Sequence, residues 1–207
     1  MVATMSAREA TLFLPGSGGR RAFWEPVAAR LTQDGPRLFF PWPGFGDAPA
    51  DRSIRSLDDL YGWFVQRVPP GASNLVAQSM GGVLAMRFAI EHPDRVRRLV
   101  LVATSGGTRA RFGVDWRVGF RAENASVPDW FERDGTELDE RLGAVCAPTL
   151  LIFGDKDPVA PVAMGEHLRS LLRHSRLRIV KGGTHACAEE QPDEVARAVD
   201  EHLSSGG

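Results

Sequence analysis

The sequence predicts an α/β fold, with a doubly wound, mainly parallel sheet of about six strands and a short helical cap insertion. Two observations predict it. Short apolar runs recur along the chain, and longer segments with helical periodicity separate them. The runs also lack the strict alternation of a strand with one face in water, so helices should cover both faces of the sheet. Strands that alternate with helices in this way join through right-handed crossovers.

The predicted strands are short and continuously apolar, as expected for a parallel sheet. They are Thr11–Leu14, Arg37–Phe40, Asn74–Ala77, Leu99–Val102, Thr149–Phe153 and Leu177–Val180.

The predicted helices lie between these runs. Apolar residues in 57–68 repeat with a helical period, and Ser56 with Asp59 is a candidate capping pair at its start. The segment 80–90 is almost entirely apolar, which predicts a helix buried against the sheet. A last amphipathic helix follows Pro192, a residue favoured in the first turn.

One connection is too long for a bare loop. It lies between the fourth and fifth predicted strands, and Phe112, Trp116 and Phe120 recur in it at every fourth residue. We therefore predict a single domain over 1–207, with a helical cap inserted at about 105–145.

Composition excludes several classes of protein. The 207 residues are 43% hydrophobic and 25% charged, which is typical of a folded domain with a core. A formal net charge of −1 gives no electrostatic reason to expect a nucleic-acid partner. No apolar stretch is long enough to cross a membrane, and Arg8 and Glu9 interrupt the N-terminus where a signal peptide would be hydrophobic. We therefore predict a cytoplasmic protein without a membrane partner.

The strongest functional motif is the stretch Ala77-Gln78-Ser79-Met80-Gly81, between an apolar run and an apolar helix. A strand that turns directly into a helix holds one side chain on a strained corner above the sheet, and small neighbours allow the backbones to pass closely. This context favours Ser79 as a nucleophile over a helix-capping serine.

A serine hydroxyl needs a base within about 3 Å. Of the five histidines, only His185 lies in a glycine-bearing loop directly after an apolar run. Because α/β sheets bind ligands at the carboxyl ends of their strands, His185 is the candidate base.

A carboxylate should orient that imidazole. Asp155 and Asp157 both follow the fifth apolar run, and Asp157 is the preferred candidate, with Asp155 as the alternative. The chain order Ser79, Asp157, His185 is one of the known orders for a serine triad.

A glycine-rich loop, Pro15 to Gly19, follows the first apolar run. We predict an oxyanion hole formed by the N–H groups of Ser17 and Met80. The loop also resembles part of a dinucleotide fingerprint, but Arg21 stands where the third glycine belongs, and no acidic residue ends the second strand.

These residues together resemble the α/β-hydrolase superfamily, over essentially the whole chain from Leu12 to Leu203. The stretch 41–47 (PWPGFGD) is similar to the family's D-x-P-G-x-G loop, 91–96 (EHPDRV) to its P-x-x-V step, and 151–161 to its acid loop. In that alignment the acid is Asp157.

The resemblance implies Ser79 as nucleophile, His185 as base, and no metal or organic cofactor. Pro15 stands where the family usually has histidine, and the family's N-terminal hairpin is expected to be absent or reduced. The chain resembles a minimal member, near small carboxylesterases and carrier-protein methyl ester esterases.

Candidate residues for binding the acyl group are aromatic or lie in the glycine loop. They are Gly16, Trp24, Phe112, Trp116 and Phe120, and the alternative for the aromatic residues is that they pack the cap onto the body.

We therefore predict a serine hydrolase of a small-molecule acyl ester or thioester, free or carrier-bound, that works through an acyl-enzyme. Two alternatives stay open: a lyase of the menaquinone-pathway type that uses the same serine as a base, and a non-catalytic binding protein. The sequence leaves the oligomeric state undetermined.

Overall fold

The computed structural model of the chain describes residues 9–115, 117, 120–123, 127–133 and 135–205. In these residues it contains a six-stranded sheet with the order β2-β1-β3-β4-β5-β6, and every neighbouring pair is parallel. The predicted fold class is therefore confirmed. The strands are β1 Thr11–Leu14, β2 Arg37–Phe39, β3 Ser73–Gln78, β4 Val96–Val102, β5 Thr149–Gly154 and β6 Ser175–Val180.

Helices cover the sheet. The α-helices are α1 Glu25–Ala28, α2 Leu57–Val65, α3 Met80–Glu91, α4 Phe120–Glu123, α5 Val162–Leu171, α6 Cys187–Glu190 and α7 Pro192–Ser204. Short 3-10 helices cover Arg21–Phe23, Pro93–Arg95 and Asp139–Ala144. Helices α1, α6 and α7 pack together, and α7 lies against β4, β5 and β6. Phe64 of α2 meets Phe88 of α3 with ring centroids 5.4 Å apart.

The predicted helix starts are confirmed. The hydroxyl of Ser56 accepts a hydrogen bond from the Asp59 N–H at 3.0 Å, which caps α2. The Asp59 carboxylate accepts a hydrogen bond from the N–H of Arg55 at 2.9 Å. In a capping box the donor would be the N–H of the N-cap residue, Ser56, which follows Arg55. Pro192 occupies the first turn of α7, as predicted.

Burial distinguishes central strands from edge strands. Every residue of β3 and β5 is buried, whereas β6 alternates and leaves Ile179 45% exposed. β6 is an edge strand in the described sheet. The prediction that helices cover both faces of the sheet is therefore wrong at β6.

In its described residues, the long connection has less helix than its aromatic spacing predicts. Phe120 begins α4, but Phe112 lies outside any helix, so a helix through Phe112 is wrong. The reason is that the backbone here runs along the loop after β5, where the Val114 N–H donates to the Pro158 carbonyl at 2.8 Å. Trp116 lies outside the described residues.

The strand order locates the site. The chain winds outward from β1 to β2, then crosses back to β3 on the other side of β1. The chain therefore reverses the direction in which it adds strands between β1 and β3, which are neighbours in the sheet. The loops that follow these two strands diverge at this point, and α/β sheets bind ligands in the crevice between such loops.

No helix in the described part of the chain is both long and apolar enough to pass through a membrane.

Candidate active site

Ser79 occupies a strained corner between β3 and α3. Its φ of 51° and ψ of −119° lie in a region that side-chain-bearing residues rarely adopt. Hydrogen bonds hold this conformation: the Ser79 N–H donates to the Val102 carbonyl at 3.0 Å, and the Thr104 hydroxyl donates to the Ser79 carbonyl at 2.6 Å. This strained strand-to-helix corner is the backbone geometry expected for the motif.

Glycines after Ser79 and in the loop after β1 allow neighbouring chain segments to approach closely. A Cβ on Gly81 would lie 2.4 Å from the Pro15 carbonyl oxygen, and one on Gly82 would lie 2.5 Å from the Thr104 hydroxyl. A Cβ on Gly16 would lie 2.9 Å from the Cβ of Ser79. The loop after β1 and the loop after β4 therefore pack directly on the Ser79 corner.

His185 lies beside Ser79. Its Nε2 is 3.1 Å from the Ser79 Oγ, and its Nδ1 is 2.8 Å from Asp157 Oδ2. Because a carboxylate only accepts, Nδ1 carries the proton and Nε2 is the acceptor for the serine hydroxyl. Ser79, His185 and Asp157 thus form one hydrogen-bonded chain across residues far apart in sequence.

Asp157 is buried, and its carboxylate is fully hydrogen-bonded. Oδ1 accepts from the N–H groups of Val159 at 2.8 Å and Ala160 at 3.0 Å, while Oδ2 faces the imidazole of His185. These bonds hold the carboxylate in one orientation, so it can stabilise a positive imidazolium without moving.

Asp155, the alternative acid, contacts a different group. Its Oδ1 accepts from the N–H of Gly182 at 2.7 Å, which ties the loop carrying His185 to the end of β5. Gly154 contributes to the same junction, because a Cβ there would lie 2.1 Å from the Gly183 carbonyl oxygen. The structure therefore places Asp157, and not Asp155, at the imidazole.

The loop after β1 presents the predicted oxyanion donors. Within the described residues, the Ser17 N–H has no hydrogen-bond acceptor. Met80 is the first residue of α3, where N–H groups have no acceptor inside the helix and the helix dipole favours negative charge. Both N–H groups remain the candidate donors for an anionic oxygen.

Two indoles hydrogen-bond to the end of β1 and to the first residue of this loop. Trp42 Nε1 donates to the Pro15 carbonyl at 2.7 Å, and Trp24 Nε1 donates to the Leu14 carbonyl at 3.0 Å. This role of Trp42 is not predicted from the sequence, although Trp42 lies in the 41–47 stretch that resembles the family. The signal for it is that this stretch and the glycine loop occur in the same chain.

The predicted acyl-binding aromatic residues are scattered. Trp24 is completely buried near the loop after β1, so the structure places it in the core and not on the surface of an acyl-binding pocket. Phe112 is 44% exposed and lies against His167, with ring centroids 5.3 Å apart. Phe120 packs on Phe131 at 5.6 Å. Phe112 and Phe120 therefore contact different parts of the molecule.

A small cavity lies beside the loop after β1. Its volume is about 40 Å³, and it is lined by Pro15, Gly16, Gly18, Gly19, Arg20, Phe23 and Gln78. At the adjacent surface, Arg20 and Glu189 lie 3.7 Å apart as an ion pair.

Cys187 begins α6, two residues after His185, and is buried. Burial, and then the negative charges of Asp157 and Glu190, raise the pKa of the Cys187 thiol to about 12. A thiol that stays protonated at neutral pH is a poor nucleophile. Among the described side chains, no group of three or more His, Cys, Asp or Glu residues is arranged to hold a metal ion.

Two family models match the chain. The α/β-hydrolase fold model matches residues 11–135, and the model of TAP-like protein matches residues 121–207. The first covers more than half of the chain.

Curated proteins are similar along most of the chain. The pimeloyl-[acyl-carrier protein] methyl ester esterase of Neisseria meningitidis serogroup B (strain H44/76) is 28% identical over 220 residues, covering 83% of each chain. The putative carbamate hydrolase RutD of Variovorax paradoxus is 26% identical, covering 86% of this chain and 85% of its own. A bacterial membrane phospholipase A has a similar fold, with a TM-score of 0.80 and 24% identity over 95% of this chain and 78% of that one.

Proposed function

This chain belongs to the α/β-hydrolase fold family, and from that premise we propose that it is a serine hydrolase of carboxylic esters. The observation that carries the proposal is the hydrogen-bonded chain from the Ser79 hydroxyl through the His185 imidazole to the Asp157 carboxylate. The similarity to methyl ester esterases over most of both chains supports the same reaction class.

In the proposed acylation step, Ser79 Oγ attacks the acyl carbon while His185 Nε2 accepts the hydroxyl proton. The Asp157 carboxylate stabilises the imidazolium that forms. The carbonyl oxygen becomes an oxyanion, which the N–H groups of Ser17 and Met80 stabilise. The tetrahedral intermediate then collapses, and His185 gives its proton to the leaving alcohol.

Deacylation repeats these steps with water as the nucleophile. His185 Nε2 accepts a proton from water as the water oxygen attacks the acyl carbon bound to Ser79. The second tetrahedral intermediate releases the carboxylic acid, and the proton returns to Ser79 Oγ. This sequence uses only side chains and backbone N–H groups of this chain.

The proposed substrate class is an acyl ester or thioester, free or attached to a carrier. The Neisseria relative is named for a methyl ester of an acyl group carried on acyl-carrier protein, which supports a carrier-bound ester. The proposed architecture is a single domain over 1–207, in which the segment at about 105–145 is a cap over the edge of the sheet where Ser79 lies.

Labelling by a fluorophosphonate probe tests the proposal. We expect the wild-type chain to be labelled once, at Ser79, and the Ser79→Ala variant to resist labelling and to lose ester hydrolysis. Ser204→Ala is the matched control, because Ser204 is an exposed serine at the end of α7 whose hydroxyl donates to the Asp200 carbonyl in the same helix. The Ser204→Ala variant should be labelled to the same extent as the wild type.

The alternatives give different results. A lyase that uses Ser79 only as a base would convert an anionic substrate without a pre-steady-state burst of acyl-enzyme. A binding protein would show neither labelling nor turnover. Either result contradicts the proposed hydrolase.

A further inference from the structure

Gln78 is a polar residue buried at the centre of the candidate site. It ends β3, directly before Ser79, and only 5% of its surface is exposed. A buried amide is costly unless its donors and acceptors are paired, so the partners of Gln78 indicate why it is there.

The orientation of this amide follows from its first partner. Gln78 Nε2 lies 3.2 Å from the backbone carbonyl oxygen of His185. Because a carbonyl oxygen only accepts, the NH₂ group faces His185 and Oε1 faces the other way. The bond therefore restrains the backbone of the residue whose imidazole meets Ser79 Oγ.

The other end of the amide faces the loop after β1. A Cβ on Gly16 would lie only 2.2 Å from Gln78 Oε1, so Oε1 lies directly against the Gly16 backbone. Gln78 thus spans the gap between the loop that carries His185 and the loop that presents the Ser17 N–H. Its own backbone continues into the strained corner at Ser79.

We propose that Gln78 is a positioning residue, which holds the His185 loop and the Ser17 loop at the spacing that acylation of Ser79 requires. This inference rests on the proposed serine-hydrolase function and deepens it. The amide acts through its neighbours and does not contact the reacting atoms.

Two substitutions of similar length test this role. Gln78 lines the cavity of about 40 Å³, so we expect a side chain of similar length to fit there. Gln78→Met keeps the length and removes the hydrogen bond. Gln78→Glu keeps the shape and places a carboxylate oxygen against the His185 carbonyl, where two acceptors repel each other.

Gln191→Met is the matched control. Gln191 Nε2 also donates to a carbonyl of the same loop, that of Lys181, and at the same distance of 3.2 Å. It is half-buried and its bond lies four residues before His185. A general loss of loop stability would affect both glutamine variants, whereas positioning of the imidazole is specific to Gln78.

The experiment measures three quantities in each variant: the rate of fluorophosphonate labelling of Ser79, kcat and KM for a nitrophenyl ester, and the downfield proton resonance of His185 Nδ1–H. For Gln78→Met we expect labelling and kcat to fall about tenfold with little change in KM. The His185 resonance should shift or broaden, and Gln78→Glu should be affected at least as much. Gln191→Met should match the wild type in all three.

Wild-type rates and an unchanged resonance in Gln78→Met overturn the inference and leave the proposed function intact. Equal losses in Gln78→Met and Gln191→Met also overturn it. A wild-type chain that is not labelled overturns the proposed function and this inference together. If Gln78→Met does not fold, Gln78→Glu and the shorter Gln78→Asn supply the same comparison.

Discussion

Two carboxylates lie two residues apart in the loop after β5, yet they contact different groups. Asp157 is buried and faces the His185 imidazole, while Asp155 is exposed and accepts the Gly182 N–H. Position after the strand does not distinguish them, but the resemblance of 151–161 to the α/β-hydrolase acid loop predicts Asp157. The difference arises because the chain turns between them and aims only one side chain toward the loop after β6.

Substitution separates the roles of these carboxylates. We expect Asp157→Asn to lower kcat by about 10³–10⁴-fold, because the amide does not stabilise the imidazolium and favours the wrong tautomer. Asp155→Asn, the matched control, keeps an oxygen that can accept from the Gly182 N–H and should cost less than tenfold. Steady-state hydrolysis of a nitrophenyl ester checks both, and equal losses would contradict the assignment of Asp157.

Gly16 and Gly18 form a second matched pair, in the loop after β1. Gly16→Ala would bring a Cβ to 2.2 Å from Gln78 Oε1 and 2.9 Å from the Ser79 Cβ, so the loop must move. We expect kcat to fall about 10²-fold as the Ser17 N–H leaves the oxyanion position. A Cβ on Gly18 meets no atom within 4 Å, so Gly18→Ala should retain wild-type kcat. A fully active Gly16→Ala variant would show that the loop does not need this close approach.

The two cysteines should differ in reactivity. Burial raises the pKa of the Cys187 thiol to about 12, whereas Cys146 is exposed. In the native protein we expect Ellman's reagent to modify Cys146 alone, and Cys187 only after unfolding. The Cys146→Ser variant should therefore show no rapid thiol reaction. Rapid modification of Cys187 in that variant would argue for an open path to the buried thiol.

At the scale of elements, the segment after β4 supports the loop that carries Asp157. Gly113 lies so close to that loop that a Cβ would be 2.3 Å from the Val159 carbonyl oxygen, and the next residue donates to Pro158. The aromatic period of the segment predicts a helix through Phe112, but in this contact the backbone at Phe112 and Gly113 is not helical. Tertiary contact therefore overrides the local pattern here.

Gly113→Ala tests that contact. The added methyl group forces the segment away from Val159, and we expect the free energy of unfolding to fall by about 1–3 kcal/mol. Hydrolysis should slow as well, because Val159 and Ala160 supply the N–H groups that hold Asp157. Gly143→Ala, in the same segment but with no atom within 4 Å of its Cβ, is the control for denaturant unfolding. Equal stability of the two variants would contradict the proposed support.

At the scale of the whole molecule, the last helix carries a buried histidine. His202 of α7 donates from Nε2 to the Pro148 carbonyl at 3.1 Å, which ties the helix to the start of β5. Burial, helped by the positive charges of Arg176 and Arg98, lowers the pKa of His202 from 6.5 to about 4. The folded state therefore favours the neutral imidazole.

This shift makes the fold less stable in acid. As the pH falls below about 6.5, His202 binds a proton in the unfolded chain, whereas in the folded chain it binds one only near pH 4. The free energy of unfolding therefore falls by about 3 kcal/mol between pH 6.5 and pH 4. Above pH 6.5 the residue makes no pH-dependent contribution. We expect His202→Gln to lose less stability between pH 7 and pH 4.5 in urea unfolding than the wild type does. His174→Gln, at an exposed histidine, should keep the wild-type dependence.

The sequence by itself determined which apolar runs become strands. It also determined that Ser79, an acidic loop and His185 each directly follow a strand. Short-range pattern suffices for this, because periodicity and glycine placement act within a few residues. Only the tertiary structure decided what Asp155 binds, that Trp24 lies in the core, and that Gln78 and Gly113 lie against neighbouring loops. Those outcomes depend on contacts between segments distant in sequence, whose directions are set by the packing of one loop on another.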